Sequence, residues 1–233
     1  MSEPGLVTLH LWDVAALAVP RAVLHMAVDR AALARTPGLR VAQLLGTGSG
    51  RTFTPRDAEP RRWGLLAVWD DTPAATAFEQ DGVPATWRRF AVEEWVARLR
   101  PLSARGRWSG REPFGHPSPR PWDGPVAAVT RARLAPSRAT GFWRAVPAVS
   151  ADLDHARGLQ VALGIGEAPL GLQGTFSVWR CSSDLNDFAY ARAPHAAVIE
   201  RTERERWYAE ELFARFAVLS TRGTLDGVDP LRR

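Results

Sequence analysis

Apolar positions along this chain alternate between two periods. Leu6-Val-Thr-Leu-His-Leu-Trp12 and the stretch 126–134 are short and rich in β-forming residues, which predicts strands. From Pro20 to Ala34 the spacing turns helical. Val23, Met26, Ala27 and Leu33 recur there, behind a proline placed where a helix start accepts one. Stretches 40–45 and 64–69 predict short apolar strands, 72–78 and 86–99 predict helices, and 101–108 predicts a last strand. The order is β-α-β-β-α-β, the ferredoxin-like plan.

The plan occurs twice. Gly38-Leu-Arg-Val-Ala42 resembles Gly158-Leu-Gln-Val-Ala162, and Val68-Trp69 followed by Phe78 resembles Val178-Trp179 followed by Phe188. Glu93-Glu94, Ala97-Arg98 and Leu102-Ser-Ala-Arg-Gly106 resemble Glu210-Glu211, Ala214-Arg215 and Leu219-Ser-Thr-Arg-Gly223. Three matches in the same order, separated by loop-sized drifts, mark a duplication. Pro113, Pro117, Pro119, Pro121 and Pro125 fall in an aperiodic stretch, which predicts a semi-rigid linker over 110–125 between units 1–109 and 126–233. A ferredoxin-like sheet is covered by helices on one face only. Two bare faces in one chain bury most economically against each other. The expected fold is therefore α+β, two tandem repeats packed sheet to sheet as an intrachain dimeric α+β barrel.

Composition narrows the chemistry. The 233 residues contain no lysine, so all 30 basic residues are arginines, balanced by 25 acids for a formal charge of +5. Schiff-base catalysis and a P-loop lysine are excluded. The high isoelectric point, near 10.7, reflects arginine in place of lysine. The arginines are scattered without a basic run, and nucleic acid is not an expected partner. One cysteine, Cys181, excludes an internal disulfide framework and suits a reducing cytoplasm. The opening Met-Ser-Glu-Pro-Gly has no basic region ahead of an apolar stretch. No apolar run approaches the roughly 20 residues that span a bilayer. The expectation is a cytoplasmic protein, at most peripheral to a membrane.

Local motifs are sparse. Gly46-Thr-Gly48-Ser-Gly50 has the wrong spacing for a dinucleotide fingerprint and reads as a plain glycine-rich loop. His10, His25, His116, His155 and His195 show no zinc-type pairing. A cofactor needing one protein ligand stays open, and haem is one. His195 follows Pro194 and shares a helical face with Val198, Ile199 and Thr202, where the helix start keeps imidazole neutral. Spacing alone fits a locally hydrogen-bonded histidine better than an iron ligand. Neither repeat offset puts a histidine opposite it, however, which argues for a single site in the second half. The tryptophans, Trp143, Trp179 and Trp207 among them, are either walls for a flat apolar ligand or core. For the matched Trp69 and Trp179 the core reading is preferred.

The run from Gly164 through Gly174-Thr-Phe-Ser-Val-Trp179, then Phe188-Ala-Tyr190, Pro194-His195 and Trp207 to Phe216, resembles the spheroidene monooxygenase family of carotenoid oxygenases. So does Arg105-Gly-Arg107-Trp108-Ser-Gly-Arg111. A more distant resemblance is to the dimeric α+β barrel haem and antibiotic-biosynthesis monooxygenases. The resemblance implies haem iron bound by His195, a pocket edged by Val198, Ile199, Trp179 and Phe188, and haem propionates paired with Arg111, Arg107 or Arg215. It also implies an apolar, carotenoid-like substrate, dioxygen, and electrons from a redox partner such as a ferredoxin and its reductase. The chain is expected to be a monomer or homodimer. Two readings remain beside it, a haem enzyme of another type, such as a dehydratase or peroxide-using catalyst, and a non-catalytic barrel carrying an apolar ligand.

Overall fold

The structure is a computed structural model that describes residues 4–49, 57–134, 153, 156–167, 174–191 and 208–232. The first repeat runs β1 (Leu6–Val14), α1 (Val19–Leu33), β2 (Leu39–Gly48), β3 (Ala58–Trp69), α2 (Thr72–Asp81), α3 (Val83–Arg88) and β4 (Ala91–Gly106). The second supplies β5 (Val126–Leu134), β6 (Leu159–Gly166), β7 (Gly174–Trp179), α4 (Ser182–Asn186) running into a π-helical turn Asp187–Ala191, and β8 (Tyr208–Gly223). The strands close into a barrel in the order β1-β3-β2-β6-β7-β5-β8-β4, antiparallel at every seam. This is the expected α+β plan, with the two bare sheet faces turned toward each other across the barrel interior.

Alternation along each strand sorts side chains between that interior and the helix side. Val7, Leu9 and Leu11 of β1 point inward with Trp95, Ala97 and Leu99 of β4, Phe176 and Val178 of β7, and Phe216 of β8. They pack with Trp108 and Phe114 into one buried cluster, so the interior is core. On the helix side of the first sheet a second cluster joins Trp12, Trp63, Leu65, Trp69 and Trp87 to Met26 and Phe78.

Three expectations change. Residues 86–99 are not one helix: α3 stops at Arg88 and β4 begins at Ala91. Their Glu, Ala and Arg content favours helix, but burial has period two. Trp95, Ala97 and Leu99 face the core. Glu94 accepts a hydrogen bond from Trp12 Nε1 at 2.9 Å, and Arg98 pairs with Glu79 at 3.0 Å on the other face. Gly46 to Gly48 is strand, not loop, and forms the short seam between repeats through Gly46↔Gly166, Thr47↔Ile165 and Gly48↔Gly164. Helix α1 buries Ala22, Met26, Asp29 and Leu33, leaving Val23 and Ala27 outside.

The long seam between β4 and β8 is closed reciprocally. Gly106 and Gly223 adopt φ of 89° and 84°, and a Cβ on either would collide with the carbonyl oxygen of Glu211 or Glu94 respectively. Beyond each glycine the chain turns back on itself, as the bridges Trp108↔Arg111 and Leu225↔Val228. Glu210 accepts hydrogen bonds from the backbone N–H groups of Ser109 and Gly110 at 2.9 and 2.7 Å. Glu93 does the same for Asp226 and Gly227 at 3.1 and 2.7 Å.

Candidate functional site

The two repeats differ most on the helix-facing side of their sheets. Across the first sheet one row reads Leu44, Leu65, His10, Val96, and the row beside it reads Ala42, Ala67, Thr8, Arg98. The corresponding rows of the second sheet read Gly164, Thr175, Thr130, Phe213 and Ala162, Ser177, Ala128, Arg215. Farther along the first strand of each repeat, Trp12 is matched by Ala132. Two leucines, a histidine and a tryptophan are thus replaced by glycine, threonine and alanine. The second sheet offers a low floor at those four positions where the first is filled, while Phe213 stands where the first sheet has the smaller Val96.

That floor has a definite boundary. At one end Trp179 lies in the row Leu159, Trp179, Val126, and its ring packs on Phe188 at 5.1 Å between centroids. The matched pair Trp69 and Phe78 does the same at 4.9 Å. Phe188 and Tyr190 sit on the π-helical turn, whereas the matching helix α2 is regular. Such turns recur at functional sites because they redirect side chains at the cost of a backbone hydrogen bond.

Arg215 stands at the floor's edge. Its counterpart Arg98 is neutralised by Glu79, which accepts from Nε and Nη2 at 3.1 and 3.0 Å, while Nη2 also reaches Thr76 Oγ1 at 3.1 Å. In the second repeat Asn186 matches Thr76 and Ala189 matches Glu79. Arg215 Nη1 donates to Asn186 Oδ1 at 2.7 Å, and the guanidinium lies 5.8 Å from the centre of the Tyr190 ring. Among the described residues no carboxylate neutralises it. A guanidinium stripped of its acid beside an apolar wall and a low floor suits the bidentate binding of an incoming carboxylate.

A scan against models of known protein families finds no match. Individual relatives decide the question. The spheroidene monooxygenase of Rhodobacter capsulatus is 38% identical over 219 residues, spanning 91% of this chain and 89% of that protein. The protein of the same name from Rubrivivax gelatinosus is 38% identical over 192 residues, 82% of this chain and 73% of its own. The chain belongs to the spheroidene monooxygenase family. This agrees with the resemblance carried by the second-half motifs and makes the protein an oxidoreductase of the monooxygenase class. Among solved structures, an aldoxime dehydratase superposes with a TM-score of 0.60 at 11% identity, over 97% of this chain and 86% of that one. A second, solved with butyraldoxime, gives 0.59 at 12% identity, over 97% and 84%. These likenesses establish the barrel fold.

In this spheroidene monooxygenase relative the described structure gathers Trp179, Phe188 and Arg215 around one floor. His195, Val198 and Ile199 lie outside the described residues, as do Trp143 and Trp207. Arg111 is exposed on the turn closing the barrel end, and Arg107 there pairs loosely with Glu112 at 3.7 Å. That turn is held by Glu210, five strand residues or roughly 17 Å along β8 from Arg215, so the three arginines do not form one cluster. Cys181 donates to Asp184 Oδ2 at 3.3 Å beside the start of α4. Among the described residues no three His, Cys, Asp or Glu side chains stand ready to share a metal ion. No described helix is long and apolar enough to cross a membrane.

Two groups escaped the sequence reading. Arg131, 5% exposed, bridges Glu167 at 2.6 Å and Glu210 at 2.5 Å under the barrel-end turn, where Trp108 Nε1 also donates to Glu167. Burial works against the charged form of Glu210. The N–H groups of Gly110 and Ser109 and the Arg131 guanidinium outweigh it, and hold its carboxyl below the usual range. His10 is fully buried on the first sheet, stacked on Trp12 at 5.5 Å, with neither ring nitrogen hydrogen-bonded. Its position in an alternating strand was the available signal, since a polar residue on a covered face needs a reason.

Proposed function

We propose that the chain is a haem-dependent monooxygenase. In this reading it oxidises an extended apolar substrate, a carotenoid-like polyene, using dioxygen and electrons from an external ferredoxin-type donor. The observation that carries the reading is the row of short side chains on the second sheet, with Arg215 at its edge paired with no carboxylate among the described residues, set against bulkier residues at matched positions of the first sheet. The described residues fit a flat macrocycle with carboxylate arms. Glycine, alanine, serine and threonine keep the side chains on this part of the sheet short, the buried pair Trp179 and Phe188 closes one end, and Arg215 would take a propionate. His195, on the chain that follows the π-helical turn, would be the iron ligand, with Val198 and Ile199 beside it. When bound, haem would supply the oxygen activation.

The chain's own residues have definite tasks in this scheme. The wall excludes water from the reacting centre and offers apolar contact to a polyene. Arg215 fixes orientation. The packed interior leaves the outer floor as the place for a ligand, which disfavours a barrel that carries its ligand inside.

The test is spectroscopic. Protein produced with ample haem should show a Soret band, and His195→Ala should abolish or shift it while far-ultraviolet circular dichroism stays unchanged. A wild-type protein that remains colourless through haem titration refutes the reading. Oxygen-dependent conversion of an acyclic carotenoid with a ferredoxin and its reductase then tests the reaction class.

A further inference from the structure

Helix α1 is apolar on the side that faces away from the protein. Its inner stripe, Ala22, Met26, Asp29 and Leu33, is buried against the first sheet. The opposite stripe carries Pro20, Leu24, Ala27, Val28 and Ala31, all exposed, and Leu17 in the preceding turn extends it. Leu17 is 97% exposed, Leu24 58%, Val28 51% and Val23 46%. A helix on the surface of a water-soluble domain ordinarily turns polar residues outward, so this reversal calls for an apolar or amphipathic partner.

Charge identifies the partner. From Ala15 to Pro37 the one acid is Asp29. It is buried, accepting from Trp87 Nε1 at 2.8 Å and hydrogen-bonding to His25 Nδ1 at 3.0 Å. The cations Arg21, Arg30 and Arg35 are exposed and flank the apolar stripe. Arg21 lies over the Phe90 ring at 4.5 Å, next to Val92, which is 70% exposed. An outward apolar ridge between arginines, with no exposed carboxylate, is the make-up of a helix that lies in the headgroup layer of an acidic membrane.

A second copy of the chain fits poorly. Two such faces brought together would oppose arginine to arginine. A helix of 15 residues also presents a strip only about 22 Å by 10 Å, far below the roughly 800 Å² per partner of a stable interface.

We propose that the outer face of α1 docks the protein on an anionic lipid bilayer. The inference gives the polyene reading a route for its substrate, since such molecules dissolve in bilayers. It stands on α1 alone, however, and does not depend on haem.

The experiment is co-sedimentation of the full chain with vesicles of phosphatidylcholine alone or mixed with phosphatidylglycerol, at low and high salt. Binding should require the anionic lipid and weaken with salt. Leu24→Asp with Val28→Asp should remove it, while Leu219→Asp, an exposed apolar position on β8, should leave it intact. Replacing Arg21, Arg30 and Arg35 by Gln should weaken it by about 100-fold. Circular dichroism of each variant checks the fold. Three results overturn the proposal: no vesicle binding by the wild type, binding indifferent to the Leu24 and Val28 changes, or a concentration-dependent dimer that those changes dissolve. None of them alters the Soret band, so this proposal and the haem reading fail separately.

Discussion

Replacing His10 by Leu should make the protein less sensitive to acid. Burial lowers the His10 pKa from 6.5 to about 3, and the guanidinium groups of Arg222, Arg88 and Arg98 push the same way. The unfolded chain therefore takes up a proton as the pH falls below about 6.5 while the folded protein does not. Stability is full above that value and declines below it. Between pH 7.5 and pH 5.0 this one group removes about 2 kcal/mol, and the loss levels off near about 5 kcal/mol below pH 3. Leucine has a similar volume, fits among Leu65, Val96 and Trp12, and removes two buried nitrogens that lack partners. At pH 7.5 His10→Leu should therefore be neutral or stabilising. Urea unfolding at the two pH values measures the effect. The wild type should lose about 2 kcal/mol more than the variant on acidification, a relative midpoint shift slightly under about 1 M. If both proteins lose the same stability to within about 0.5 kcal/mol, His10 already has a proton acceptor in the folded state and the reasoning fails.

Other positions carry predictions of their own. Gly106→Ala and Gly223→Ala should each destabilise by well over 1 kcal/mol, roughly, and by similar amounts, because both combine a left-handed backbone with a carbonyl collision. Gly110→Ala, which meets open space, should show only the backbone penalty, and thermal melts of the three compare them. Arg131→Met should cost about 3–5 kcal/mol by leaving Glu167 and Glu210 without their cation, and adding Glu210→Gln should recover part of that. The depressed pKa of Glu210 adds stability that is present above the ordinary carboxylate range and lost as pH falls through it, so Glu210→Gln should flatten acid unfolding. Arg215→Gln should weaken haem binding by roughly tenfold or more in a spectral titration. It should disturb stability less than Arg98→Gln, which strands Glu79.

The duplication was legible because glycines and tryptophans are read at matched points, Gly38 with Gly158 and Trp69 with Trp179, where backbone sign and core volume admit few substitutes. Residues 91–99 were misread because their helix-forming composition is overruled by pairing with β1 and β8, which are distant in sequence. The outer face of α1 misled for the opposite reason. Apolar residues occur all around that helix, and periodicity alone could not choose which side is buried. The floor itself was invisible, since glycine, alanine and threonine carry no pattern until strand register aligns them with leucine, tryptophan and histidine. Arg215 was visible as a cation. Its missing acid emerges only when Ala189 is placed opposite Glu79.

The reciprocal clamp across the long seam bears on how the chain acquires its shape while it is being made. Glu93 in the first repeat holds a turn in the second, and Glu210 in the second holds a turn in the first. The first half therefore leaves the ribosome without the carboxylate that secures its turn, whereas the second half finds Glu93 already made. Strand β4 ends at Gly106 and its partner β8 starts at Tyr208, so at 5–20 residues per second β4 waits roughly 5–20 s for its neighbour. During that interval β2 and β4 are the two unpaired edges of an open sheet whose interior face is largely apolar. Such a sheet invites pairing with the same half of another nascent chain. The demanding moment in this protein's life is thus the delay before the second half arrives, and overproduction should be limited by how quickly translation shortens it.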